Sequence, residues 1–136
     1  MDVDFAFICD YADANGPKIN ALGIGFDTIF TSVVPMRHPQ FTFVAQMRAT
    51  LAEVGLKDVA IRLIDADGVT VLNLPGQVHF ERPFSGLEST QKLAVNFHNI
   101  EFPKFGDYAL HLVVGGIDLH HVRIRVAPLP RTPSPG

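Results

Sequence analysis

Apolar and polar side chains alternate with a period of two along most of this chain, the mark of strands that bury one face. Val3, Phe5, Phe7 and Cys9 alternate with Asp2, Asp4, Ala6 and Ile8, which assigns the first set to the core. Phe41, Phe43, Ala45, Met47, Ala49 and Leu51 alternate with Thr42, Val44, Gln46, Arg48 and Thr50. Shorter runs follow at Val59–Leu63, Leu93–Phe97, Tyr108–Val114 and Val122–Val126. Lys18 to Phe30 reads as one long strand, with a bulge or close packing at Gly23 and Gly25. Only Arg48 to Leu56 invites a helix, and the alternation running into it favours a strand.

Turn-forming residues fall between these runs: Asn15-Gly16-Pro17, Pro35 to Pro39, Asp65-Ala66-Asp67-Gly68, Pro75-Gly76 and Pro83 to Gly86. About seven to nine strands at this spacing predict an all-β, antiparallel sandwich of immunoglobulin-like build. The expected organisation is one domain over 1–127. The proline-rich stretch 128–136, which ends in Pro-Arg-Thr-Pro-Ser-Pro-Gly, reads as a flexible tail. Its PxxP spacing recurs by chance in any such end.

The last hairpin can be read residue by residue. A two-residue turn at Gly115-Gly116 would pair Leu110 with His121 and turn a histidine inward. A three-residue turn through Ile117 pairs Leu110 with Val122 and Tyr108 with Ile124, keeping the apolar side chains together. That register sets His111 opposite His121 on the outer face. Just upstream, Gly106-Asp107-Tyr108 resembles a tyrosine corner, in which a Tyr entering a late strand bonds back to the preceding backbone. The first thirty residues hold five Asp and one Lys, and the last strand holds Arg123 and Arg125. First and last strands lying side by side would let Asp2 and Asp4 face those arginines.

Composition narrows the function classes. With 47% apolar and 18% charged residues the chain is built to fold. Eleven Phe and no Trp, with a positive mean hydropathy, leave more apolar side chain than a small monomer needs to cover. A net charge of −3 gives no basic face for nucleic acid. One cysteine excludes an intrachain disulfide framework, which suits a reducing, cytoplasmic setting. No apolar run approaches a membrane span, and the acidic Met1-Asp2-Val3-Asp4 is unlike a signal peptide.

Candidate chemistry is thin. Placing Gly16 or Gly68 at the sixth position of an EF-hand loop puts Tyr11 or Leu63 at the first position and Leu22 or Leu74 at the twelfth, so both loops fail. Cys9, on the inward parity, is expected to be buried and inert. The histidines offer one metal idea, a facing His111–His121 pair near His120, with His98 and His79 on outward parities. Two imidazoles without HxH or HExxH spacing are a weak site. Glu81 and Glu88 fall in expected loops with nothing to hold them together. No GxSxG elbow, Walker loop or complete GxGxxG is present, since Gly23-Ile24-Gly25 lacks the third glycine. No catalytic, cofactor-binding or metal residue is therefore assigned, and no cofactor is expected.

The blocks "FAFICDYADANGPKINALGIGFDTI", "HPQFTFVAQMR", "IRLIDADG" and "FPKFGDYALHLVVGG", taken in order, resemble a bacterial family of small all-β proteins with no assigned function. The resemblance extends to about Pro128 and implies a small bacterial cytoplasmic protein, with no site residues to carry over. The leading expectation is a non-enzymatic sandwich acting through protein contacts, as a homo-oligomer or with a protein partner, without nucleic acid or membrane insertion. Ile8, Val44 and Val113, on outward parities, mark the expected interface. The alternative is a small-ligand or metal-binding sandwich that uses the histidine face or a cavity between its sheets.

Overall fold

The alternating run Phe41–Ala49 lies in β5 (Met36–Thr50), a fifteen-residue strand at the centre of a three-stranded sheet. Its neighbours are β1 (Asp2–Cys9) and β8 (Glu88–Phe102), both antiparallel to it. The computed structural model describes residues 1–15, 18–83, 86 and 88–130. Five strands make the facing sheet, in the order β4 (Thr28–Thr31), β10 (Ile117–Pro128), β9 (Gly106–Val114), β6 (Gly55–Asp65), β7 (Thr70–Phe80). A separate ribbon pairs β2 (Tyr11–Asn15) with β3 (Lys18–Leu22). The protein is thus all-β, with packed sheets and ten strands among the described residues.

The core between the sheets is the one the alternation marks. Phe41, Phe43, Ala45, Met47 and Ala49 of β5 meet Val59, Ile61 and Leu63 of β6, Tyr108 to Val114 of β9, and Ile124 and Val126 of β10. Phe80, Phe97 and Phe102 complete it.

Several expectations change. The strand count exceeds the expected seven to nine because 18–30 divides into β3 and β4, while β2 and β7 carry no clean alternation. Gly23 and Gly25 hold positive φ of 69° and 83° in the crossing between β3 and β4, a conformation glycine adopts without strain. β4 runs parallel to β10, so the pairing is not wholly antiparallel. Pro75-Gly76 is no turn: it lies inside β7, paired with Val59 and Ala60. Proline is tolerated there because β7 is an edge strand with no second ladder to feed. Met36 to Pro39, expected as turn, opens β5; Pro39, without an N–H, sits across from Asn99, which takes a positive φ of 51°. Past Arg48 the strand runs only to Thr50, and Leu51–Glu53, expected to continue it, form a 3-10 turn, the one helical segment among the described residues. Glu88 starts β8 rather than lying in a loop, and pairs with Arg48 at 3.1 Å.

The expected first-to-last-strand ion pairs are absent because β1 and β10 lie in different sheets. Asp4 binds Arg48 and Gln46 of β5 instead, and Arg125 binds Asp107 of β9 at 3.0 Å. At the other end, β10 extends through Pro128, and the Leu129 N–H donates to Thr31 O at 3.2 Å. Residues 131–136, with most of the PxxP stretch, lie outside the described residues, as do Gly16-Pro17 and Phe84-Ser85 of two expected turns.

The register of the last hairpin is the expected one: Leu110 with Val122, Tyr108 with Ile124, His111 with His121. It is reached by a different device. Gly115 and Gly116 both hold positive φ, 59° and 80°, and form a two-residue turn that pairs Val114 with Ile117. A bulge between Asp118 and His120 then shifts the ladder by one, returning the apolar residues to the core.

The tyrosine corner forms as expected: Tyr108 Oη donates to Lys104 O at 2.7 Å and accepts from Lys104 N at 3.1 Å. Tyr108 is itself buried and packs edge-on to Phe102, with centroids 5.1 Å apart. Tyr108→Phe keeps the ring and removes both bonds. It is expected to cost about 1–3 kcal/mol in urea unfolding, since two backbone groups lose their partner.

Candidate functional site

The site grows from one irregularity in β1. A bulge between Val3 and Phe5 reverses the parity of the strand. Val3, Ala6 and Ile8 therefore pack on the main core, while Phe5, Phe7 and Cys9 point to the far side of the three-stranded sheet. That far side also carries Val44 and Ala94, across the ladder from Phe7 and Val44. The β2–β3 ribbon folds back over it. Ala12, Ile19 and Ala21 of the ribbon close on Cys9, Val44, Phe7 and Ala94 as a second, smaller apolar cluster.

The expected interface residues are thereby corrected. Ile8 is in the main core, Val44 is fully buried beneath the ribbon, and Val113 is buried beside Ala60 and Asp118. Alternation names the face a side chain takes; it does not say whether a later segment returns to cover that face. Cys9 is buried as expected, but under the ribbon rather than between the sheets. Its Sγ–H donates to Thr42 O at 3.6 Å, and burial, with Asp10 beside it, raises the thiol above its ordinary range.

Where the ribbon stops, apolar side chains stay open. Phe5, Phe7, Tyr11, Ile19, Leu22 and Ile24, with Asn20 and Ala21, line a groove of about 660 Å³. The Phe5 and Phe7 rings stack at 5.9 Å and form one wall. Leu22 and Ile24 are 69% and 61% exposed, far more than large aliphatic side chains need to be. The groove is held by its ends: Asp10 N–H donates to Leu22 O and Gly25 N–H to Ile8 O, each at 3.0 Å. Gly23 at the same corner leaves no room for a Cβ, which would collide with the Asp10 carboxylate. The residues of this groove were all visible in the sequence, but Phe5 and Phe7 read as core because nothing in the alternation announces the bulge.

Behind the corner, Phe26 enters the core beside His38, whose ring lies 6.1 Å from both Phe26 and Phe41. Burial lowers the His38 pKa below its ordinary 6.5, against smaller opposing effects of a backbone bond with Gln40 and the charge of Asp10. The folded state then favours neutral imidazole, and the unfolded chain takes up the proton first as pH falls. This contribution to stability is complete above about pH 6.5 and is lost as pH drops towards the folded-state pKa. The urea midpoint should fall from pH 7 to about 5.5 in the wild type, and fall less in His38→Gln.

The histidine face takes the expected form without gaining ligands. His111 and His121 stack at 5.2 Å, His120 lies 6.5 Å from His121, and His111 Nδ1 is 2.7 Å from Asp118 Oδ2. His79 and His98 stand on other strands, opposite Leu56 and Gln40. Among the described residues no group of three or more His, Cys, Asp or Glu is placed to hold a metal. The Asp65–Gly68 loop closes on itself: the Asp65 carboxylate accepts from Asp67 N and Val69 N, both at 2.9 Å. The Val69 N–H, then that of Asp67 and the nearby Lys104 ammonium, hold its pKa below the ordinary value. Lys104 also sits on Asp67, which occupies the loop with a cation of the chain's own. Between the sheets, the slot at Val59, Leu74, Val78 and Val95 is about 80 Å³, small beside the several hundred Å³ of a ligand pocket.

Residues 4–127 match the model of a family of unknown function, DUF6941. The chain belongs to that family. The match covers β2 to β9 entirely and all but the outer ends of β1 and β10, the groove included. No curated protein matches the chain. No described helix is long and apolar enough to cross a membrane.

Proposed function

We propose that this DUF6941 protein is a non-enzymatic module that works through protein contacts, with the groove beside the β2–β3 ribbon as its contact surface. The observation that carries the reading is the contiguous exposure of Phe5, Tyr11, Leu22 and Ile24 around one concave site. Clustered apolar exposure of this kind marks an interaction surface, where scattered residues would not. Enriched aromatic side chains are the usual anchors of such surfaces. The same reading takes the chain as one immunoglobulin-like domain of a cytoplasmic protein. The sheet orders β1-β5-β8 and β4-β10-β9-β6-β7 and the tyrosine corner support the first part; the lone, buried Cys9 supports the second. The contacts are to further copies of the chain or to a larger complex. The ligand-binding alternative has less behind it: the slot between the sheets is small, and among the described residues no third ligand joins the histidine pair.

The test is a Leu22→Ser/Ile24→Ser variant. Both side chains are exposed, so its melting temperature should stay near that of the wild type. Assembly in sedimentation velocity, or retention of a partner defined from the source cells, should be lost. A variant that keeps both would end the reading.

A further inference from the structure

The groove runs along the edge of a strand. Four consecutive residues of β3, Ile19 to Leu22, line it, so it meets both faces of that strand and the backbone between them. On the side away from β2, β3 pairs with no strand among the described residues. An unpaired edge presents free N–H and C=O groups, and proteins ordinarily blunt it with charge, proline or a bulge. Here only Lys18, at the start of β3, carries charge, and Ile19–Leu22 has neither proline nor bulge. Four residues span about 13 Å, which suits a short extended segment. Such a segment sends alternate side chains to one side, where Phe5, Phe7 and Ile24 stand.

Charge selects the occupant. Asp10 lies at the Gly23 corner of the groove, and Asp13 stands across the ribbon from Asn20, one of its lining residues. Both are exposed and in no ion pair among the described residues. A symmetric dimer through this face would place the same patch on both sides and bring four such carboxylates together against only the two Lys18 ammoniums, a net negative seam. The arrangement favours a foreign, basic partner over a second copy.

We propose that β3 accepts an extended segment of another protein as an added strand. That segment's alternate apolar side chains fill the groove, and its Lys or Arg side chains meet Asp10 and Asp13. This rests on the contact-surface reading above and names the partner's chemistry. The probe is a fluorescein-labelled eight-residue peptide alternating lysine with valine or leucine, titrated by anisotropy against the full chain. Binding should be lost in Leu22→Ser, weakened about tenfold in Asp10→Asn/Asp13→Asn, and weakened further by added salt. N-methylation of alternate peptide nitrogens should abolish it, and a glutamate-for-lysine peptide should not bind. Equal binding of the acidic peptide, or indifference to N-methylation, overturns the proposal and leaves the contact surface intact. So does failure of the lysine peptide to bind when the chain forms a dimer that Leu22→Ser dissolves. Absence of peptide binding together with unchanged partners and assembly in Leu22→Ser/Ile24→Ser removes both readings.

Discussion

Val44→Asp is expected to destabilise the protein by about 3–5 kcal/mol, the cost of leaving a buried charge without a partner. Alternation alone places Val44 on the solvent side of β5, where such a change would be nearly neutral. In the folded chain it is 0% exposed, between Phe7 and Ala94 on the ladder and beneath Ala12 of the ribbon. The carboxylate would have to stay protonated, or the ribbon would have to lift away from the sheet. Urea unfolding followed by tryptophan-independent far-ultraviolet circular dichroism gives the midpoint. Amide exchange at Ala12 and Ala21 separates global loss from release of the ribbon. A cost under about 0.5 kcal/mol would mean that the ribbon does not cover this face.

The second large effect belongs to the main core. Phe102 is fully buried at the end of β8, pairs with Met36 on the ladder and packs edge-on to Tyr108. Phe102→Ala removes a whole ring beside the tyrosine corner and is expected to cost about 3–5 kcal/mol. Denaturant unfolding should show the loss with an unchanged slope. Because Phe102 and Tyr108 touch, Tyr108→Phe added to Phe102→Ala should cost less than the sum of the two single changes.

These two residues mark what the sequence makes legible. The main core was readable because its strands keep strict alternation: Phe41 to Ala49, Val59 to Leu63 and Tyr108 to Val114 all pack where their parity puts them. The tyrosine corner and the His111–His121 register followed from local chemistry and from the demand that apolar residues share a face. The site was not readable for the opposite reason. It depends on a bulge at Asp4 and on a five-residue-stranded ribbon returning over an outer face, and both act between segments rather than within them. A one-residue slip moves every following side chain to the other face, so Phe5 and Phe7 became groove while Ile8 became core. The misplaced ion pairs of Asp4 and Arg125 have the same origin, since strand order is set by which sheet each strand joins.

The central claim, that the groove beside the ribbon is where this DUF6941 protein meets other protein, is tested most directly by site-specific photocrosslinking in the source cells. A photoreactive side chain at Leu22 should give one discrete crosslinked species, and the same side chain at Ile117, 65% exposed at the far hairpin, should give none. A discrete product at Ile117 with nothing at Leu22 would contradict the account.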